Sequence, residues 1–415
     1  MSISGLLGRQ QGSPRHVTRA ILLAIMVGVT VMSIIAIEKS NRVHKGPLRG
    51  ADFLYFYTLG HVASAGHISA LYDTAALHEA QVALVPESTN FLYPAVYPPQ
   101  TAVLFVPVAG LSYGTALLAW SLLTIVGYAL IVWSAWRPVA GTLPSRSMLI
   151  AAAAVFPPFW MLVLYGQISI LILATFWAGW MALERRRHFL AGVAFGLLAI
   201  KPQFGLPLAV VVLARRDWPM LGGAVASVAA QAAVCWLMLG TGAFRGFAST
   251  VALTLNNVDL LEATPVYSQS LRTLTRLMPN TIGIPLWIGA AALVLWYTAR
   301  VWRSNAPVRV RLGTVILASV LVNPHVIIYD AAVLALPLIW FGAYMQEAAA
   351  PQQATRFWKT VAWLYAALFA PTAEKIGIQL SVVLMVAVLI LVIREALGVR
   401  VLASAPRPLP ENRTA

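Results

Sequence analysis

The chain has 415 residues, of which 60% are hydrophobic and only 10% are charged, against roughly 25% charged residues in ordinary soluble domains. Long apolar stretches follow one another with short polar breaks, which is typical of a polytopic α-helical membrane protein and excludes an ordinary soluble enzyme. The formal net charge of +15 does not indicate a nucleic-acid partner, because the basic residues are scattered through short loops between apolar segments. The single cysteine, Cys235, excludes an internal disulfide.

The first predicted membrane span covers about residues 19–37. Arg9, Arg15 and Arg19 come before or at its start, so the positive-inside rule predicts a cytoplasmic amino terminus. No convincing small-residue cleavage site closes the apolar run. We therefore interpret it as a signal anchor that is kept in the protein.

A large extracytoplasmic loop is predicted over residues 38–113. Its segment from Asp52 to Gly66 is expected to be a short helix at the membrane surface, with the aromatic residues that follow Asp52 inserted in the interface. Asp52 begins this helix, so it can act as an N-cap. That role still leaves one carboxylate oxygen for a substrate.

Tyr97-Pro98-Pro99 opens an apolar segment that runs from Thr101 to Leu111 and contains Pro107. A helix over this segment covers only about 16 Å, about half of the hydrocarbon core, so we expect it to be re-entrant or interfacial. The later spans then fall near residues 114–136, 148–165, 167–183, 188–200, 202–214, 219–240, 285–302, 311–323, 325–344, 358–370 and 375–393.

This topology places most of the 29 Lys and Arg residues in the cytoplasm, whereas a crossing at residues 101–111 would reverse every later loop. It predicts a single integral domain over residues 1–415 with about 12 transmembrane spans and both termini cytoplasmic. A second extracytoplasmic loop is expected over residues 241–284, and a cytoplasmic tail over residues 395–415.

Polar residues interrupt the apolar segments at three further places: Gly166-Gln167, Lys201-Pro202-Gln203 and Asn323-Pro324-His325. Polar groups at membrane depth are costly, so they usually mark a site. Two of them also have a structural interpretation. Gln167 can satisfy a free helix end in a tight turn, and His325 can be a hydrogen-bonded structural histidine.

Lys201 favours a functional interpretation more strongly, because it lies between two short apolar segments where snorkelling has little room. Its natural ligand is an anion. Tyr329 and Asp330 follow His325, and Asp330 can either orient the imidazole or pair with Lys201. The predicted topology places Asp52 and these three breaks on the extracytoplasmic side, as expected of short, proline-interrupted helices that meet at a buried site.

The sequence contains neither the spacing of a metal site nor a glycine-rich nucleotide loop. We therefore expect no metal and no cofactor. Any chemistry must draw its energy from a donor that is already activated and is accessible from the membrane.

Taken together and in order, these motifs resemble glycosyltransferase family 87 over about residues 50–330. The family includes the mycobacterial mannosyltransferases that use polyprenol-phosphate-mannose to extend phosphatidylinositol mannosides. The resemblance rests on Asp52-Phe53, Leu71-Tyr72-Asp73, Tyr97-Pro98-Pro99, Gly166-Gln167, Lys201-Pro202-Gln203, and Pro324-His325 with Tyr329-Asp330.

The resemblance implies a helical bundle of the GT-C type in a bacterial plasma membrane. It implies inverting transfer of a hexose, with mannose as the expected sugar, from a polyprenyl-phosphate donor to a lipid-linked or glycan acceptor. The catalytic aspartate of the family's loop maps onto Asp52, which would accept the proton of the acceptor hydroxyl. Lys201, His325 and Gln167 would bind the phosphate or sugar of the donor, with Tyr329 and Asp330 in support.

Two other interpretations use the same features. A secondary transporter or flippase of lipid-linked sugars also has broken helices and recessed charges, although we find no convincing inverted repeat between the two halves of the chain. A non-catalytic subunit that binds a lipid carrier is the third interpretation.

Overall fold

The computed structural model describes residues 50–143, 146–256, 268–369, 372 and 376–403, and every regular element in these ranges is a helix. The predicted first span at residues 19–37 lies outside the described residues, and so does the end of the predicted tail, residues 404–415.

Sixteen α-helices lie in the described part of the chain. In order, they are α1 (Ala51–Ser64), α2 (Thr74–Leu84), α3 (Pro99–Phe105), α4 (Tyr113–Trp136), α5 (Arg146–Ala154), α6 (Pro157–Tyr165), α7 (Ser169–Glu184), α8 (His188–Gly196), α9 (Leu206–Arg215), α10 (Trp218–Asn256), α11 (Leu271–Thr275), α12 (Asn280–Trp302), α13 (Val308–Leu321), α14 (Ala335–Ala348), α15 (Pro351–Phe369) and α16 (Leu380–Ala403). Short 3₁₀ helices include Ile68–Tyr72, Leu197–Ile200, Pro202–Gly205 and Ile328–Leu334.

Five helical segments of the described chain are long and apolar enough to cross a membrane: Tyr113–Val139, Trp218–Thr254, Asn280–Trp302, Ile328–Ala348 and Leu380–Gly398. Several other apolar helices are shorter, among them Ser169–Glu184, His188–Ile200 and Pro202–Arg215. These shorter helices coincide with predicted spans. The protein is therefore an all-helical membrane protein in its described part, and the count of about 12 spans stays a prediction.

Proline breaks one of the predicted spans and marks the boundary between two others. The predicted span at residues 148–165 divides into α5 and α6, because Pro157 and Pro158 are tolerated only in the first turn of a helix. Likewise Lys201 separates two short 3₁₀ helices, and Pro202 opens the second one. At each break, the backbone N–H and C=O groups of the helix ends have no partner within their own helix. These groups and the neighbouring side chains can therefore make other contacts.

Helix α10 has 39 residues and is kinked at Gly240, whose φ of 67° and ψ of −174° suit glycine. Its length of roughly 58 Å exceeds the hydrocarbon thickness of about 30 Å. The described part of the predicted loop at residues 241–284 therefore begins as a helix. This part packs on the first loop, since a Cβ at Gly246 would lie 2.7 Å from the ring of Tyr72.

The centre of the bundle is formed by Ile328–Ala348, the most completely buried of the five long segments. Trp340 and Phe341 are fully buried, and Trp340 lies 5.2 Å from Trp180 of α7, measured between ring centroids. This central segment carries Tyr329 and Asp330 at its beginning.

Helix α1 packs inside the protein. Phe53 and Phe56 are 0% and 1% exposed, and the Phe56 ring lies 5.3 Å from that of Phe105 in α3. The close approach of the two helices requires Gly60, where a Cβ would lie 2.4 Å from the Phe105 carbonyl oxygen. The prediction that these aromatic residues insert in the membrane interface is therefore wrong, because they fill a protein core in which α1 is held rigidly.

Candidate active site

Asp52 lies in the first turn of α1, two residues beyond the N-cap position. The N-cap position is Gly50, which has a left-handed conformation with φ 70°, and the Gly50 N–H donates to the Leu164 carbonyl at 3.2 Å. The Asp52 carboxylate caps no N–H of its own helix. The N-cap interpretation of Asp52 is therefore wrong, and the carboxylate is available for contacts elsewhere.

The Asp52 carboxylate accepts a hydrogen bond from another element, since Gln167 Nε2 donates to its Oδ2 at 2.8 Å. Withdrawal from water raises the pKa of Asp52 above its ordinary value, and the hydrogen bond from Gln167 and the positive charge of Lys201 oppose that rise. A half-buried carboxylate with an increased affinity for protons is the expected condition of a general base.

Gln167 connects the Asp52 carboxylate to the Lys201 ammonium group. Its Oε1 accepts from Lys201 Nζ at 3.3 Å and from the Ile168 N–H at 3.0 Å, at the start of α7. Its Nε2 also lies 3.4 Å from the Tyr97 hydroxyl. The amide therefore satisfies a free helix end, as the structural interpretation predicts, and also joins two charged groups of the cavity.

The turn before Gln167 depends on Gly166, which ends α6 in a left-handed conformation with φ 66°. A Cβ at this position would lie 2.5 Å from the Cβ of Phe53. Because Gly166 has no side chain, α1 packs directly on the turn, and this packing sets the separation between Asp52 and Gln167.

Lys201 is 4% exposed and already has an anionic partner. Its Nζ donates to Asp330 Oδ1 at 2.6 Å and to Ser169 Oγ at 3.1 Å, and the Ser169 hydroxyl also hydrogen-bonds Asp330. Together with the bond to Gln167, these contacts use all three donors of the ammonium group. The alternatives left open for Asp330 are thereby decided, because its carboxylate pairs with Lys201.

Asp330 also holds the segment that carries His325, since its Oδ2 accepts from the Ile327 N–H at 3.4 Å. Asn323 fixes the same segment in a tight turn, in which its Oδ1 accepts the backbone N–H of His325 at 3.0 Å. The His325 imidazole makes no hydrogen bond to any residue that the structure describes.

One cavity of about 640 Å³ brings together all of the site residues predicted from the sequence. Its polar lining contains Asp52, Gln167, Lys201, His325, Tyr329 and Asp330, with Tyr97 and Asn323 beside them. Its apolar lining comes from residues 92–96, from the end of the 3₁₀ helix Leu197–Ile200 and from the last third of α10, and it includes Leu92, Pro94, Val96, Ile200, Phe247 and Val251. The roles of these residues in binding and catalysis stay predictions.

Three further polar residues contribute contacts that the sequence analysis did not assign. Ser169 joins Lys201 to Asp330, Tyr97 contacts Gln167, and Asn323 shapes the turn at His325. Serine and tyrosine are common in apolar helices and at their ends, so neither residue gives a signal by its type alone. Asn323 gives a weak signal, because an asparagine before proline also marks an ordinary turn.

Among the residues that the structure describes, no group of three or more His, Cys, Asp or Glu side chains could hold a metal ion. The expectation that the reaction needs no metal stays a prediction.

A sequence model of glycosyltransferase family 87 matches residues 95–324, which is more than half of the chain. The protein therefore belongs to glycosyltransferase family 87 and is a helical, membrane-embedded glycosyltransferase. Of the cavity residues, Tyr97, Gln167, Lys201 and Asn323 lie within the matched segment, whereas Asp52 precedes it and His325 follows it directly. No curated protein and no solved structure matches the chain.

Proposed function

We propose that this glycosyltransferase transfers a hexose, with mannose as the first candidate, from a polyprenyl-phosphate donor to a lipid-linked or glycan acceptor, with inversion at the anomeric carbon. The observation that carries the proposal is that the half-buried Asp52 carboxylate shares one cavity with Lys201 and His325. Such a cavity offers a base for the acceptor hydroxyl and nitrogen donors for the phosphate of the leaving group.

Asp52 is the proposed general base. Its carboxylate is held by Gln167 and lies on a helix whose aromatic face is packed in the core, so its position is fixed before the substrates bind. In the transfer step the acceptor oxygen forms a bond to the anomeric carbon, the bond from that carbon to the phosphate oxygen breaks, and Asp52 takes the hydroxyl proton. The lipid phosphate leaves as a stable anion and needs no general acid.

His325 is the stronger candidate for direct contact with the donor phosphate. Its imidazole lines the cavity and makes no hydrogen bond to a described residue, whereas all three donors of Lys201 are occupied. Lys201 then contributes its charge from a fixed position, where a low-dielectric cavity strengthens the interaction. Gln167 is placed to hydrogen-bond the sugar or the phosphate.

The isoprenoid tail of the donor is proposed to lie along the apolar wall of the cavity. The segment after Pro99 does not contribute to this wall, because Thr101, Ala102 and Phe105 are buried against neighbouring helices. Phe247 and Val251 of α10 and Ile200 line the cavity instead. These side chains provide an apolar surface next to the polar end of the site.

The proposed topology has about 12 spans in a bacterial plasma membrane, with both termini cytoplasmic and the cavity on the extracytoplasmic side. Two features support it. The scattered basic residues favour this orientation, and helix breaks at Gly166, Lys201 and Asn323 all contribute to one cavity, as expected where short helices meet at a buried site.

Asp52→Asn tests the proposed function. Purified wild-type protein, incubated with polyprenyl-phosphate mannose and candidate acceptors, is expected to form a glycosylated product. We expect Asp52→Asn to fold and to bind the donor but to lose at least about 100-fold in turnover, because the amide cannot accept the proton. Product formation and donor affinity are the measurements.

Asp73→Asn is the matched control, since Asp73 is exposed in the same loop and caps α2, a role that asparagine also fills. Near-normal turnover of Asp52→Asn would exclude Asp52 as the base. The transporter interpretation predicts that the wild-type protein binds the donor and forms no product. Membership of a glycosyltransferase family favours the enzyme.

A further inference from the structure

Asn323 has a buried amide nitrogen without a protein partner. The residue is 1% exposed, and it is one of the residues that line the cavity, together with Lys201 and His325. Its Nδ2 makes no hydrogen bond within the part of the chain that the structure describes. A buried polar group that stays unpaired costs about 1–3 kcal/mol, so native proteins rarely keep one without a use.

The orientation of this amide is determined by its other atom. The His325 backbone N–H donates to the side chain of Asn323 at 3.0 Å, and only the amide oxygen can accept that bond. The nitrogen is therefore the unpaired atom, and exchanging the two atoms would break the turn before His325. The Oδ1 atom of Asn323 thus holds the turn, and its Nδ2 atom is a donor that no described residue uses.

We infer that Asn323 Nδ2 donates a hydrogen bond to an oxygen of the glycosyl donor, either a sugar hydroxyl or a phosphate oxygen, and so helps to select that substrate. The inference rests on the proposed function and adds a specificity residue to it. The His325 imidazole also makes no hydrogen bond to a described residue, but two other nitrogen donors that line the cavity are already engaged. Lys201 is saturated, and Gln167 Nε2 is held by Asp52 and Tyr97.

The same geometry predicts which variants remove the Nδ2 donor and keep an oxygen at the position of Oδ1. Asn323→Asp keeps an oxygen for the His325 N–H and replaces the donor by an acceptor of the same size. Asn323→Ser keeps a hydroxyl oxygen that can form the same kind of turn, introduces no charge and is too short to replace the amide nitrogen. If Asn323 is purely structural, both variants should keep the wild-type affinity for the donor.

The experiment uses the full-length protein, polyprenyl-phosphate mannose as the donor probe and polyprenyl phosphate as the probe without sugar. We expect Asn323→Ser to keep about the thermal stability of the wild type, whereas Asn323→Asp should lose stability because it buries a charge. Both variants should bind the donor at least about tenfold more weakly, as for a lost hydrogen bond in a buried site. The KM for the donor should rise correspondingly, and the KM for the acceptor should not change. Asn90→Asp and Asn90→Ser, at an exposed position outside the cavity, are the matched controls.

The two probes distinguish a contact with a sugar hydroxyl from a contact with a phosphate oxygen. If Asn323→Ser weakens the binding of the donor but not of polyprenyl phosphate, the contact is to the sugar; if it weakens both equally, the contact is to the phosphate. Wild-type affinity for the donor in both Asn323 variants, or a change in acceptor KM alone, would overturn the inference. A wild-type protein that neither binds nor uses the donor would instead refute the proposed function.

Discussion

Individual charged residues in this cavity neutralise one another before any substrate arrives. Lys201 and Asp330 form an ion pair in which each partner is 4% or less exposed, and Ser169 and Gln167 satisfy the remaining ammonium donors. Removing one partner of a buried pair leaves the other charge uncompensated, whereas replacing both by apolar groups is often tolerated. The pair therefore contributes to folding independently of any role toward the donor.

We predict that Lys201→Met lowers the free energy of unfolding by about 3–5 kcal/mol, because it leaves the Asp330 carboxylate buried without a cation. The double variant Lys201→Met/Asp330→Leu should recover most of that loss. Denaturation of the purified variants measures both values. Lys359→Met, which removes an exposed lysine, is the control and should be neutral.

A double variant as unstable as the sum of the two single variants would show that the pair is not coupled. The comparison of the single and double variants also determines how the transfer activity of Lys201→Met should be interpreted. Loss of transfer in Lys201→Met alone does not establish contact with the phosphate, because the same variant is expected to be unstable.

At the level of single residues, the sequence identified the rare polar groups but not their partners. Asp52, Gln167, Lys201 and His325 are conspicuous because polar groups are costly in apolar surroundings. The pairing of Lys201 with Asp330 joins residues far apart in the chain, and it depends on how the helices pack. Local patterns contain no information about that packing.

At the level of helices, the turn between α6 and α7 positions the catalytic candidate on α1. Gly166 has φ 66°, and a Cβ there would lie 2.5 Å from the Phe53 Cβ. Asp52 precedes Phe53 directly, so any substitution at Gly166 displaces the carboxylate relative to Gln167. Gly166 and Phe53 belong to different predicted elements of the sequence, so the sequence did not indicate that they are in contact.

We predict that Gly166→Ala reduces kcat by about 100-fold, since a displacement of about 1 Å at a reacting group can have that effect. It should also destabilise the fold by about 1–3 kcal/mol, the cost of a non-glycine residue in a strained conformation. Steady-state kinetics and thermal denaturation measure the two effects.

Gly222→Ala is the control for this substitution, because Gly222 is exposed within α10 and a Cβ there would meet no atom within 4 Å. Wild-type kcat in Gly166→Ala would show that the separation of Asp52 and Gln167 does not limit the reaction.

Most helix boundaries were predictable to within a few residues, because apolar runs and prolines mark them. The extension of α10 to Asn256 was not. Gly240, Gly242 and the polar residues after them indicate a loop by composition, yet packing of Gly246 against Tyr72 favours a helix. A tertiary contact between two loops thus overrides the local signal.

At the level of the whole molecule, the orientation in the membrane can be tested because the chain has a single cysteine. Cys235 is 2% exposed, and Cys235→Ser gives a background without thiols. In that background we predict that Glu87→Cys, in the first loop, reacts with a membrane-impermeant maleimide in intact spheroplasts. Gln352→Cys, in the first turn of α15, should react only after permeabilisation.

Both positions are exposed in the structure, so access to the reagent depends on the side of the membrane alone. Labelling after denaturation controls for expression. Reaction of Gln352→Cys in intact cells would reverse the proposed orientation and would place the cavity on the cytoplasmic side.

The edge of the cavity formed by residues 91–98 has no regular helix, while Asp52 lies on a helix fixed by its aromatic core. The two are joined by the Tyr93 hydroxyl, which donates to the Ala51 carbonyl at 2.5 Å. Leu92, Pro94 and Val96 line the cavity from this edge. Mutation during evolution can therefore replace these three side chains and so change the range of sugars or acceptors. The position of the Asp52 carboxylate does not change with them.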